Sequence, residues 1–242
     1  RLTQLDANKD IPDAARVELQ NTYRQTLEQL TLTTTWSDKA AAYERGRLEA
    51  PALLEAARSR LQSAASRPAS APALDVPADA TLSDLLQRQS AAEAELRTRQ
   101  EAQTKLDDEA TQRKDRRKVI PDLITDATNR LAVANAALAA APAEGASPQL
   151  TQAKRWLSQA QKHAIEAELK TYQQELQFYD ARSELLTARR DEARLAVTEA
   201  QARVNAWQDL AGKRRAQEAA REQERAEEEL RNASPQLKEL AA

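Results

Sequence analysis

The sequence predicts an all-α fold, on three observations. First, the 242 residues include only 3 glycines, and aromatic residues make up 3%; sheets need glycine-bearing turns and strands of β-branched or aromatic residues. Second, the chain is rich in Ala, Glu, Arg, Leu and Gln, with 31% charged residues, the composition of long helices and coiled coils. Third, apolar residues recur at steps of three and four over long stretches, the spacing of a helical seam. Large apolar side chains are too scarce to fill a deep core, so they line seams instead. The expectation is one elongated, antiparallel, coiled-coil-like assembly of long helices over residues 1–242.

Residues 1–11 form a lead-in, with Asp10 or Ile11 as a cap. Pro12 stands at a helix start with Asp13 in the first turn, where proline costs nothing and an acidic group suits the helix dipole. The first helical stretch covers about 12–65. "SRPASAPALDVPADA" (66–80), with Pro68, Pro72 and Pro77, is a loop. Thr81 and Asp84 have capping-box spacing and open the second stretch, about 81–140. "APAEGASP" ends it, with a loop over 141–147. Ser147 as N-cap and Pro148 as first helical residue start the third stretch, 148–231. "ASPQL" recurs at 233–237, so Ser234 and Pro235 open a further helix over 235–242.

The third stretch carries the longest seam. Leu169, Tyr172, Leu176, Tyr179, Leu186, Ala193, Val197, Ala200, Val204, Trp207 and Ala211 follow a/d heptad spacing, interrupted by Ser183 and Arg190. Its phase shifts near Ile165, the expected place for a break. If continuous, the stretch spans on the order of 120 Å at 1.5 Å per residue.

Two prolines fall inside helical patterns, Pro51 and Pro121. Aligned at an offset of 70, Arg47 matches Arg117, Leu54 matches Ile124, Ala57 matches Ala127, Arg60 matches Arg130 and Leu61 matches Leu131. This predicts an internal repeat of helix, proline, short helix and loop. Proline in a helix interior removes a hydrogen bond and costs about 3 kcal/mol. Each therefore marks a bend or tight break that the architecture uses, or the start of a new helix after a short turn.

No reaction chemistry is visible. The net charge is −2, with 36 basic and 38 acidic residues interspersed, so no basic footprint for nucleic acid appears. Cysteine is absent, which removes disulfides and thiolate metal sites. Methionine is absent even at position 1, so a processed or excised piece is expected. No run approaches the roughly 18 apolar residues of a membrane span. The lone histidine, His163, sits on a polar helical face without an upstream Glu-x-x-His partner, and no phosphate loop or nucleophile elbow occurs. No catalytic, cofactor-binding or metal-ligating residue is assigned, no cofactor is expected, and the chain is read as not an enzyme. Trp36, Trp156 and Trp207 are expected as seam anchors. "KRRAQEAAREQERAEEELR" (213–231) reads as a solvated helix laced with i,i+4 pairs. The residues expected to shape the assembly are Pro51, Pro121, Leu54, Leu61, Ile124, Leu131, Leu169, Tyr172, Leu176, Tyr179, Leu186, Val197, Val204 and Trp207.

"WSDKAAAYERGRLEAPALLEAARSRL", "IPDLITDATNRL" and above all "YDARSELLTARRDEARLAV" (179–197) resemble the periplasmic N-terminal helical domain, often labelled a porin domain, of large mechanosensitive channels. These belong to the small-conductance mechanosensitive channel superfamily, including its potassium-dependent type. The likeness covers roughly residues 10–230. It implies a non-catalytic extracytoplasmic domain, in the bacterial periplasm, of an inner-membrane channel that opens under tension during osmotic shock. It also implies neighbouring channel subunits as partners through a membrane part outside this chain, with cell wall or periplasmic proteins as further candidates. The pore-lining helix of that superfamily is not in this sequence, so no conduction residue carries over. From the residues alone, a cytosolic coiled-coil scaffold or spacer is the alternative.

Overall fold

A computed structural model describes residues 12–66, 74–77, 79–141 and 147–232. Every helix or strand among them is an α-helix: α1 (Asp13–Ala65), α2 (Leu82–Ala139), α3 (Pro148–Ala181) and α4 (Ser183–Asn232). The all-α expectation holds. The lead-in, Pro68, Pro72 and the helix expected at 235–242 lie outside the described residues; Pro77 is described and is not helical.

The ends of the helices follow local chemistry. At α2, Thr81 and Asp84 form the reciprocal capping box. The Thr81 N–H donates to Asp84 Oδ2 at 2.9 Å and the Asp84 N–H to Thr81 Oγ1 at 3.2 Å. The Thr81 hydroxyl also donates to Asp84 Oδ2, at 2.7 Å; that bond first, then the one from the Thr81 N–H, with Arg88 nearby, holds the Asp84 carboxyl below its ordinary range. Ser147 does occupy the N-cap of α3, with Pro148 behind it, but its side chain makes no capping bond. Its carbonyl accepts from the Thr151 N–H at 2.9 Å instead. The third stretch is not continuous, and its interruption lies at Arg182 rather than near Ile165. Arg182 has φ −101° and ψ 8°, the bridge region, and the helix resumes at once with Leu186 N–H bonded to the Arg182 carbonyl at 2.9 Å. Ile165 stays helical, because it is buried against Ala127 and Ala134 of α2.

Both prolines are accommodated inside their helices: α1 runs through Pro51 and α2 through Pro121. The alternative of new helix starts after short turns is therefore excluded at both. Packing explains why. Each proline is exposed, while the residue before it is buried, Ala50 at 2% and Ile120 at 0% exposure. Proline disfavours helical geometry in its predecessor, and burial of that predecessor holds the geometry. Water can reach the carbonyl that the ring deprives of a donor. The repeat is visible in burial as well. Leu54 and Ile124 are half-buried, Ala57 and Ala127 are both at 0%, and Leu61 and Leu131 are half-buried. Even the matched arginines act alike: Arg60 bonds Glu192, and Arg130 bonds Glu168. With helix on both sides, Pro51→Ala and Pro121→Ala should each raise the melting temperature, by up to about 3 kcal/mol of stability. A thermal melt in which either variant is destabilised contradicts this account.

The chain packs as two units. One comprises Arg1–Ala56 and Glu109–Thr187, the other Ala57–Asp108 and Ala188–Ala242. In the first, α3 runs parallel to α1 and antiparallel to α2. Leu19 packs on Ala153, and further along both helices Trp36 meets Tyr172 and Tyr43 meets Phe178. Toward α2, Ile165 and Leu169 pack on Ala127, Leu131 and Ala134. In the second unit, α4 runs antiparallel to α2: Arg203 bonds Glu95 and Arg190 bonds Asp107. Its core is Leu85, Ala92, Val204, Trp207 and Ala211. Alanines at these contacts let helix axes approach closely, so modest apolar area suffices to hold them.

Candidate functional site

The densest polar cluster lies in the first unit, along the faces of α3 turned to its two neighbours. "ELKTYQQELQFY" (168–179) places Glu168 four residues before Tyr172 and Glu175 four before Tyr179. One helical turn brings each tyrosine back onto its glutamate. The Tyr172 hydroxyl donates to Glu168 Oε1 at 2.9 Å, and the Tyr179 hydroxyl to Glu175 Oε1 at 2.8 Å. Each glutamate also takes an arginine from α2. Arg130 Nη2 donates to Glu168 at 2.9 Å, and Arg116 clamps Glu175 through Nε at 2.8 Å and Nη2 at 2.9 Å. Both carboxylates are buried, Glu175 to 3% and Glu168 to 9% exposure. A buried carboxylate is tolerable only when paired and hydrogen-bonded, and two partners each meet that condition.

The face toward α1 is built differently. Thr171, 1% exposed, places Oγ1 2.7 Å from the Trp36 carbonyl and 2.8 Å from that of Ala167, so its single proton is shared between two helices. Phe178 lies over Gly46, where an added Cβ would come within 2.5 Å of the ring. Here the glycine is required by close approach. The guanidiniums of Arg113 and Arg182 stand 5.5 Å and 4.9 Å from the Phe178 ring centre, at cation–π distance. Tyr43, Arg113, Arg116, Val119, Phe178 and Tyr179 line an open groove of about 810 Å³.

The electrostatics make these groups donors and anchors. Burial, reinforced by the bond to Glu168, pushes the Tyr172 hydroxyl up to about 12. Burial and Glu175 raise Tyr179, and burial followed by Glu175 raises Tyr43. The bond to Glu175 raises Arg116, and the bond to Glu168 raises Arg130. At neutral pH the phenols are therefore protonated and the arginines charged. A phenol in that state donates a hydrogen bond and is neither a base nor an activated nucleophile. Raised phenol values also set an alkaline limit. Their stabilisation is complete below the unfolded value of about 10 and is lost as pH rises through the folded value. Melting temperature should fall steeply between about pH 10 and 12, and less so for Tyr172→Phe. Indistinguishable alkaline profiles would refute the assignment.

Of the residues singled out from sequence, Tyr172 and Tyr179 enter this cluster. Leu131 and Leu169 share one apolar contact, and Val204 and Trp207 share another in the second unit. Leu54, Leu61, Ile124, Leu176, Leu186 and Val197 are half-buried along their helices, and Pro51 and Pro121 face water. Sequence reasoning missed Glu168, Thr171, Glu175, Phe178, Arg116 and Gly46. The signal available for the glutamates was the Glu-x3-Tyr pattern repeated at seven residues. His163 is exposed, with Nδ1 3.2 Å from Glu166. Among the described residues no group of three His, Cys, Asp or Glu side chains could hold a metal ion, and no helix is long and apolar enough to cross a membrane.

The family model described as the mechanosensitive ion channel porin domain matches residues 1–241. No curated protein and no solved structure matches the chain.

Proposed function

The chain belongs to the mechanosensitive ion channel porin domain family, and from that premise we propose that it is a non-catalytic, extracytoplasmic accessory domain of a tension-gated channel, acting in the response to osmotic shock. The observation that carries this reading is the family match along essentially the whole chain. The cluster on α3 supports it from the side of chemistry: its buried glutamates, tyrosines and arginines spend their hydrogen-bonding capacity holding α2 and α3 in register. The membrane part of the parent brings neighbouring subunits of a homo-oligomer together, and cell wall or periplasmic proteins are the candidate outer partners. Membership of the potassium-dependent type belongs to the same proposal and rests on the string "YDARSELLTARRDEARLAV" (179–197).

The test uses the full parent channel with and without residues 13–232. Protease added to spheroplasts should cut this region in the intact channel. Patch recordings should show unit conductance unchanged by the deletion, with the tension threshold or survival of hypoosmotic shock altered. Opening that requires external potassium at fixed tension supports the potassium-dependent assignment. Protection from external protease would place the domain in the cytosol, favour a scaffold role and overturn the proposal.

A further inference from the structure

We propose that the end of α4 is covered by the chain's own last residues, with Pro235 to Ala242 forming a short helix that folds back antiparallel onto it. The core stripe of Val204, Trp207 and Ala211 continues along α4 through Arg214, Glu218, Arg221 and Arg225. Nearly opposite on the helix runs a second stripe. Ala216, Ala219, Gln223, Ala226 and Leu230 follow steps of three and four, the spacing of one helical face. Residues 213–231 include twelve charged side chains, and none falls on this stripe. All five of its residues are exposed, Leu230 to 57%. An uncharged face kept clear at heptad spacing is one side of a helix pair.

The sequence of residues 233–242, which lie outside the described residues, supplies the other side. α4 ends at Asn232, and Ser234 and Pro235 are an N-cap and a first helical residue. Ala233 and Ser234 then form a two-residue connection, within the range that joins antiparallel helices. The same string, "SPQL", opens α3 at 147–150. There the new helix runs back along α2, and Leu150 packs inward beside Leu19 and Ala153; Leu237 is the matching leucine. When the two stripes meet antiparallel, Leu237 lies on Leu230 and Ala241 on Ala226. Beside these layers Lys238 faces Glu227, Leu240 lies along Glu229, and Glu239 turns away. Glu227, Glu228 and Glu229 crowd the C-terminal end of α4, where the helix dipole disfavours negative charge; the N-terminal end of a helix opening at Pro235 favours it. So short a tether holds the segment at an effective concentration on the order of millimolar, ahead of any second copy in dilute solution.

The chain has no cysteine, so introduced thiols test the contact directly in the whole protein. A disulfide needs Cα atoms within about 7 Å and converging Cβ vectors. Ala226→Cys with Ala241→Cys should therefore close an intramolecular disulfide under mild oxidation, at a rate independent of protein concentration, read from loss of free thiols and from a monomer on a non-reducing gel. Glu224→Cys with Ala241→Cys, whose first thiol faces away from the stripe, should react at least tenfold more slowly. In the first pair's background, Glu227→Lys or Lys238→Glu should each slow closure about threefold, and the two together should restore it. Circular dichroism checks that α4, exposed at positions 224, 226 and 227, stays helical. Equal rates for the two cysteine pairs, crosslinked dimers in place of monomers, or charge reversals that neither slow closure alone nor restore it together would each overturn the proposal.

Discussion

Arg116→Ala should destabilise the first unit by about 3 kcal/mol, the lower end of the range for removing one partner of a buried ion pair. Glu175 is 3% exposed and would be left with phenols as neighbours and no cation, while the Arg116 side chain is 38% exposed, so some water can enter the vacancy. In a domain of this size that is a fall of roughly 6–12 °C in melting temperature. Replacing both partners, Arg116→Met with Glu175→Leu, should recover most of the loss, since an apolar pair leaves no buried charge uncompensated. Chemical denaturation of the single and double variants decides the matter. A loss below about 1 kcal/mol for Arg116→Ala would mean that solvent already carries the glutamate.

Ile120→Ala is the second large effect, about 2–4 kcal/mol. Ile120 is 0% exposed and among the largest fully buried side chains, and it is the residue whose packing keeps α2 helical at Pro121. Two losses would combine: the cavity, and the support for a helical conformation that proline disfavours. Val119, one residue earlier and 48% exposed, is the control. Val119→Ala should lie within about 0.5 kcal/mol of the wild type. Equal effects at the two positions, read from denaturation midpoints, would refute the packing argument.

Periodicity and caps made the helices legible, because the seam spacing and the Thr81–Asp84 box are local properties that tertiary context left intact. The repeat around the two prolines was legible for the same reason. What the seam could not show was its second face. A helix between two partners is buried on two faces, and on α3 both carry polar residues, Glu168 and Glu175 toward α2 and Thr171 toward α1, which a search for apolar spacing passes over. Leu185 and Leu186 show the same limit: the heptad count selects Leu186, yet Leu185 is the one at 1% exposure. The interruption at Arg182, which no proline or glycine announces, shifts the phase between them. Gly46 was equally silent, since its reason lies in the Phe178 ring of another helix.

The pairing of Glu168 with Arg130 and of Glu175 with Arg116 acts as a mechanical detent between α3 and α2. A slide of one helix along the other by a single residue, about 1.5 Å, already strains bonds of 2.8 and 2.9 Å toward the distance at which a hydrogen bond ceases to count. The first shift that returns a glutamate to an arginine is not one residue but seven, and it restores one of the two pairs, because Arg116 and Arg130 stand fourteen residues apart. A shift of about 10.5 Å would bring Glu168 and Tyr172 to the places that Glu175 and Tyr179 now hold. Under a pull along its axis this interface should therefore stay stiff and then yield in one discrete step, the response of a ratchet rather than of a spring.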